Sequence, residues 1–282
     1  MNYHKMPIVL AGLLCLSCFQ TAMADELLPS IVDERVGSEA SAVAASSTPE
    51  TTAPWPARPL MEGNWQDLIP DQFPEVMQKL RGHRGEFSQH ERRRSEWPVS
   101  VEPSRLRRLV LPCYDNVALI EAEIRKAGDQ PGVLTFLLHD RGGALLNGRR
   151  GVEQIIQLNK WNPPQLTTPE QAAAYVKFMI GTADPGDGNF RVLEEAQSVD
   201  WKTDEDRAAH ADLEQAIRPV TMTKQEQDWI GEVIIQYKAE LSRVKLSLSP
   251  KGQPNMLDEQ PLGSDLPIKV RRFSNWVRYD AW

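Results

Sequence analysis

After Leu109 the chain switches between apolar residues at every second position and apolar residues at every third or fourth, the marks of strands and of helices. Ala118, Ile120, Ala122 and Ile124 set against Glu121 and Glu123 predict a half-buried strand, although a short helix fits the same stretch. Gly128-Asp129-Gln130-Pro131-Gly132 is a turn cluster, and the unbroken apolar run over 133–138 predicts a buried strand. A second turn at Asp140-Arg141-Gly142-Gly143 leads into Ala144, Leu145 and Leu146, so an antiparallel meander is the economical arrangement.

The sharpest local signal is Thr168-Pro169-Glu170-Gln171: a hydroxyl N-cap, a proline at the first helical position and a Gln at the capping-box position. Ala172, Tyr175, Val176, Met179 and Ile180 recur behind it at helical spacing, predicting a helix over 169–181. A turn at 184–189 then leads to a strand over 190–194. Thr203 with Asp206 predicts an exposed helix over 204–217 with Leu213 and Ile217 inward. Thr223-Lys224-Gln225-Glu226 repeats that spacing ahead of Trp229, Val233 and Tyr237, yet the β-branched Val233-Ile234-Ile235 suits a strand equally. Val244, Leu246 and Leu248 alternate as a strand, Ser249-Pro250-Lys251-Gly252 is a turn, and the tail carries Ile268, Val270, Phe273, Trp276, Tyr279 and Trp282. With no repeat of fixed period, these elements predict one α+β domain over 109–282, an antiparallel sheet with a few packed helices.

Upstream the pattern is of another kind. Lys5, an apolar run from Pro7 to Leu14 and the exit Ala22-Met23-Ala24 predict a signal peptide over 1–24, with the mature chain starting at Asp25. Ser17 and Gln20 interrupt the apolar core, which falls short of the roughly 20 residues of a bilayer span. Lipoprotein processing at Cys18 would place Cys15 where an aliphatic residue is usual. Residues 25–58, rich in Ala, Ser and Thr, predict a disordered leader. Residues 59–108 predict an irregular, basic, Trp-containing wrapping segment with one short helix at 74–80. A periplasmic protein is expected, with release from the cell as the alternative, and no transmembrane segment once the signal is cleaved.

Cleavage changes the chemistry that is left. Cys15 and Cys18 go with the signal, so Cys113 alone remains, no internal disulfide can form, and a packed core must supply stability. Removing Lys5 leaves 31 basic against 39 acidic residues, a net charge of −8, and a nucleic-acid partner is not expected. Between Lys79 and Arg108, however, nine Lys or Arg face four acids. They form either a solvated arm with intramolecular partners or, on the sharper reading, a partner surface of Arg92, Arg93, Arg94, Arg105, Arg107 and Arg108 for an anionic polymer or an acidic protein.

Candidate catalysis rests on Cys113, His139 and Asp140. A thiolate at Cys113, a proton shuttle at His139 and an orienting Asp140 would make a hydrolytic site. Adjacent His and Asp point to opposite sides of a strand, though, unless a turn begins at once. His83 and His90 are seven apart while His139 and His210 stand alone, so no metal site is expected. Gly142, Gly143, Gly148 and Gly151 with Arg149 and Arg150 match no phosphate-binding spacing, and no cofactor is expected. The favoured function is an exported, non-enzymatic protein that binds another macromolecule of the bacterial envelope or medium, or an anionic surface. The alternative is an exported Cys/His hydrolase.

Overall fold

A computed structural model describes residues 54–82, 102–125, 131–146, 151–183, 190–274 and 277–280. The predicted signal, the leader as far as 53, the turns at 128–130 and 184–189, and Arg92, Arg93 and Arg94 lie outside the described residues. No helix among the described residues is long and apolar enough to cross a membrane.

The protein is α+β, built on two antiparallel sheets. The first contains β1 (Gln66–Asp67), β2 (Arg105–Val110), β3 (Ala118–Ile124), β4 (Gly132–His139) and β5 (Gly142–Leu145), and is completed by the C-terminal hairpin of β11 (Arg271–Ser274) and β12 (Val277–Asp280). Strand β4 is shared on its far edge, where Phe136 to His139 pair with β5 while Val133 stands opposite Arg278 of β12. The second sheet contains β6 (Phe190–Leu193), β7 (Thr221–Gln225), β8 (Asp228–Tyr237), β9 (Glu240–Leu248) and β10 (Pro254–Gly263). Here β8 is the shared strand, with β7 on its first half and β6 on its last.

Three apolar clusters explain this arrangement. Helix α1 (Phe73–Gly82) lays Met77 and Leu80 on Leu106, Ile120, Ala122, Leu134 and Phe136 of one face of the first sheet. Leu109, Leu119 and Leu137 of the opposite face join a larger core with α2 (Gly151–Trp161), α3 (Pro169–Thr182) and the second sheet's Val233, Ile235, Val244 and Leu246. Leu193, Trp201, Ile217, Ile234 and Ile268 form the third, beside the short helices α4 (Asp204–Ala209) and α5 (Ala211–Ala216). Covered on both faces, β3 is buried along its whole length. The expected half-buried strand is therefore a fully buried one, and Glu121 and Glu123 lie inside.

Helix α3 carries the cap its sequence calls for: Thr168 Oγ1 accepts from Gln171 N at 3.3 Å and Gln171 Oε1 accepts from Thr168 N at 3.2 Å. Thr203 caps α4 in the same way, but His210 leaves helical geometry at ψ 29° and splits the expected helix in two. At Thr223 the capping spacing opens no helix. The β-branched run of β8 pairs with β9 from Trp229 to Tyr237, and Glu226 turns the β7–β8 hairpin at φ 55°. Helix α2, which the sequence pattern did not predict, opens on Gly151, where a Cβ would run into Thr182 at the end of α3.

The body also takes in residues upstream of 109. Ala57, Leu60 and Met61 are buried, and residues 55–62 form a strap that bonds to Glu121 of the first sheet and to Asp200 in the segment after β6. Ala57 falls within the stretch expected to be leader; it is ordered because its carbonyl meets a buried arginine.

Candidate functional site

Strand register builds a row of charge under the strap. Arg105 and Arg107 of β2 stand opposite Glu123 and Glu121 of β3, and Thr135 of β4 stands opposite Glu121 on its other side. From the C-terminal hairpin, Arg278 reaches the same carboxylate. Glu121 Oε1 accepts from Arg278 Nη2 at 2.6 Å and from the strap's Leu60 N at 2.7 Å, while Oε2 accepts from Arg107 Nε at 2.7 Å. Arg278 Nη1 donates to Thr135 Oγ1 at 2.8 Å. Glu121 is 0% exposed, Arg278 1% and Arg107 6%. Burial alone would push the Glu121 carboxyl up, but the Arg278 and Arg107 guanidiniums and the Leu60 N–H outweigh it and hold the group below the usual carboxylate range. Two guanidiniums on one carboxylate leave the triad one positive charge in excess.

The strap is fastened by its backbone. Arg107 Nη2 donates to Ala57 O at 3.2 Å, and Arg271 Nη2 donates to Pro59 O at 2.8 Å. Trp55 lies over both Arg107, 4.0 Å from ring centre to guanidinium, and Arg105, at 4.8 Å. On the side of the second sheet, Arg58 Nε donates to Asp200 Oδ1 at 2.8 Å and Arg191 Nη1 to Asp200 Oδ2 at 3.1 Å.

Two clefts flank the strap and share Arg58 and Pro59. One, of about 280 Å³, is lined by Trp55, Arg58, Arg107, Asp200 and Lys269. The other, of about 390 Å³, is lined by Glu62, Arg191, Glu195, Gln197 and Ser198. Burial pushes the Glu62 carboxyl up, against the lowering effects of its Ser198 hydrogen bond and the Arg191 charge. No family model, no curated protein and no solved structure matches this chain.

The residues expected to act as a hydrolase are placed apart in character. Cys113 is 0% exposed within the large core, and burial pushes its thiol up to about 12. At neutral pH it is a protonated, enclosed thiol rather than a nucleophile. His139 ends β4 with its ring 4.8 Å from that of Trp161, and its Nδ1 accepts from Arg141 N at 3.1 Å. Asp140 is exposed at the following turn. Arg105 and Arg107, expected to face a partner, are held by Glu123 and Glu121, whereas Arg108 is exposed. Among the described residues no group of three or more His, Cys, Asp or Glu could hold a metal ion.

The charged row escaped sequence reading because acids alternating with apolar residues look like a wet face. A signal was present: Arg105 and Arg107 share the two-residue spacing of Glu121 and Glu123, as cross-strand ion pairs require.

Proposed function

We propose that this is an exported, non-enzymatic binding protein, periplasmic or secreted, whose partner is a macromolecule of the envelope or medium presenting anionic groups. The observation that carries this reading is on β2. Arg108 and Val110 stand exposed on the face of that strand where Leu106 meets α1, and Val110 is 56% exposed. A cation beside an exposed apolar side chain offers a partner both charge and apolar contact. Arg92, Arg93 and Arg94 precede β2 in the sequence and add to its basic character. Because Arg105 and Arg107 are held internally, the partner-facing role falls to Arg92, Arg93, Arg94 and Arg108.

The test is titration of the protein with dextran sulfate and with polyglutamate at two salt concentrations. Affinity should fall with salt, and charge reversal by Arg92→Glu, Arg93→Glu, Arg94→Glu and Arg108→Glu together should lower it at least about tenfold at an unchanged melting temperature. Equal binding by the variant overturns the proposal.

A further inference from the structure

We propose that the 280 Å³ cleft beside the strap is a binding site for an oxyanion, a carboxylate or a phosphate, carried on a body no larger than a monosaccharide. It is separate from the β2 patch and stands without it.

The wall residues set the charge. Arg58, Arg107 and Lys269 line the cleft against one carboxylate, Asp200, in a protein whose overall charge is −7. Both oxygens of Asp200 already accept from arginines, Oδ1 from Arg58 and Oδ2 from Arg191, so it opposes an incoming anion weakly. Behind the wall Arg278 shares the Glu121 carboxylate with Arg107, so that carboxylate does not cancel the wall's charge in a place where water screens little.

Arg107 supplies the second observation. Its Nε and Nη2 are engaged by Glu121 and Ala57 O, but its Nη1 has no acceptor among the described residues, although 94% of the residue is withdrawn from solvent. A guanidinium so fixed at two of its three nitrogens has already lost its rotational freedom. As a lining residue of the cleft it offers an anion a positive charge that is already held in place.

Size and shape limit the ligand. Small-molecule clefts usually enclose about 300–1,000 Å³, so one of 280 Å³ takes an end group or a single ring. Trp55 contributes a flat aromatic wall, and Pro56 and Pro59 stiffen the strap that frames the opening. An aromatic face next to cations fits a ring bearing an acidic substituent better than a bare ion.

The experiment is calorimetric titration of the full chain with glucuronate, inorganic phosphate and glucose. Saturable binding of glucuronate or phosphate, weakened by salt, is expected, with no binding of neutral glucose; the tighter of the two acids identifies the source of the oxyanion. Lys269→Glu should weaken binding at least about tenfold, the loss expected for one charge-assisted contact. Lys269→Gln, which keeps the size of the side chain, should give a smaller loss at the same melting temperature. The proposal is overturned if neither acid saturates below about 20 mM, if glucose binds equally well, or if both Lys269 variants bind as the parent does. The fourfold β2-patch variant should keep this affinity, so the two sites succeed or fail separately.

Discussion

One face of the first sheet is covered in two different ways. Where Leu109, Leu119 and Leu137 look toward α2 and α3, the contact is apolar and continuous with the main core. Farther along the same strands Arg107, Glu121 and Thr135 look toward the strap, joined by Arg278 of β12, and the contact is a charged network closed by backbone groups. The apolar half gains stability from area and tolerates many shapes. The charged half is directional: its carboxylate accepts from one particular strap N–H, and its arginines need particular carbonyls. That difference assigns stability to the first half and the position of the strap, with the clefts it frames, to the second.

The largest test of this division removes the carboxylate. Glu121→Ala leaves two buried guanidiniums and the Leu60 N–H without their acceptor, and should cost about 3–5 kcal/mol in denaturant unfolding. Leu119→Ala, in the apolar half, should cost about 2–5 kcal/mol through lost contact and a cavity. The two are told apart by hydrogen exchange. In the Glu121 variant the Leu60 amide should lose protection while β8 and β9 keep theirs, whereas Leu119→Ala should lower protection on both sides of the core. If Leu60 stays protected without Glu121, the network does not hold the strap.

The two halves were unequally legible. The apolar half showed itself through the Thr168 cap and the stripe of Ala172, Tyr175, Val176 and Met179, because local chemistry and helical period agree there. The meander over β3 to β5 was readable from its apolar runs and the turn residues between them, with β3 left open between strand and helix. The charged half showed only the matched two-residue spacing of Arg105 and Arg107 with Glu121 and Glu123, since its remaining partners are Arg278, far along the chain, and a strap that sequence alone joins to a polar leader. Splitting of the helix at His210 and the strand at Thr221–Gln225 also depend on neighbours. Pairing along β8 decides the second against a local capping pattern.

Acid titration should separate two carboxyls of the strap region in opposite directions. Glu121 is held below the usual carboxylate range, so its contribution is complete above about pH 4.5 and is lost as pH falls through its folded value. Glu62 is raised, so its contribution is present below about pH 4.5 and lost as pH rises through its folded value. Glu121→Gln should therefore lower the melting temperature at pH 7, with a gap to the parent that narrows in acid. Glu62→Gln should raise it modestly at pH 7 and leave it unchanged near pH 4. Melting curves of the two variants from pH 3 to pH 7 check both signs, and parallel profiles would mean that the carboxyls do not differ as their surroundings require.

The smallest expected effect tests whether the two halves act independently. Thr168→Ala removes the hydroxyl that accepts from Gln171 N at the start of α3, the helix covering the apolar half. A lost cap of this kind costs about 1 kcal/mol. After the Glu170 backbone N–H, the Thr168 hydroxyl also helps hold the Glu170 carboxyl below its usual range, a contribution present at pH 7 and lost as pH falls. The cost should therefore be somewhat larger at pH 7 than at pH 4, while the Leu60 amide should exchange as in the parent. Combined with Glu121→Ala, the two losses should add to within about 0.5 kcal/mol if the regions share no partner. A larger deviation would show that α3 and the strap are coupled. The contact that would carry such coupling is Gly181 near the end of α3, where a Cβ would lie 3.0 Å from Leu60 O.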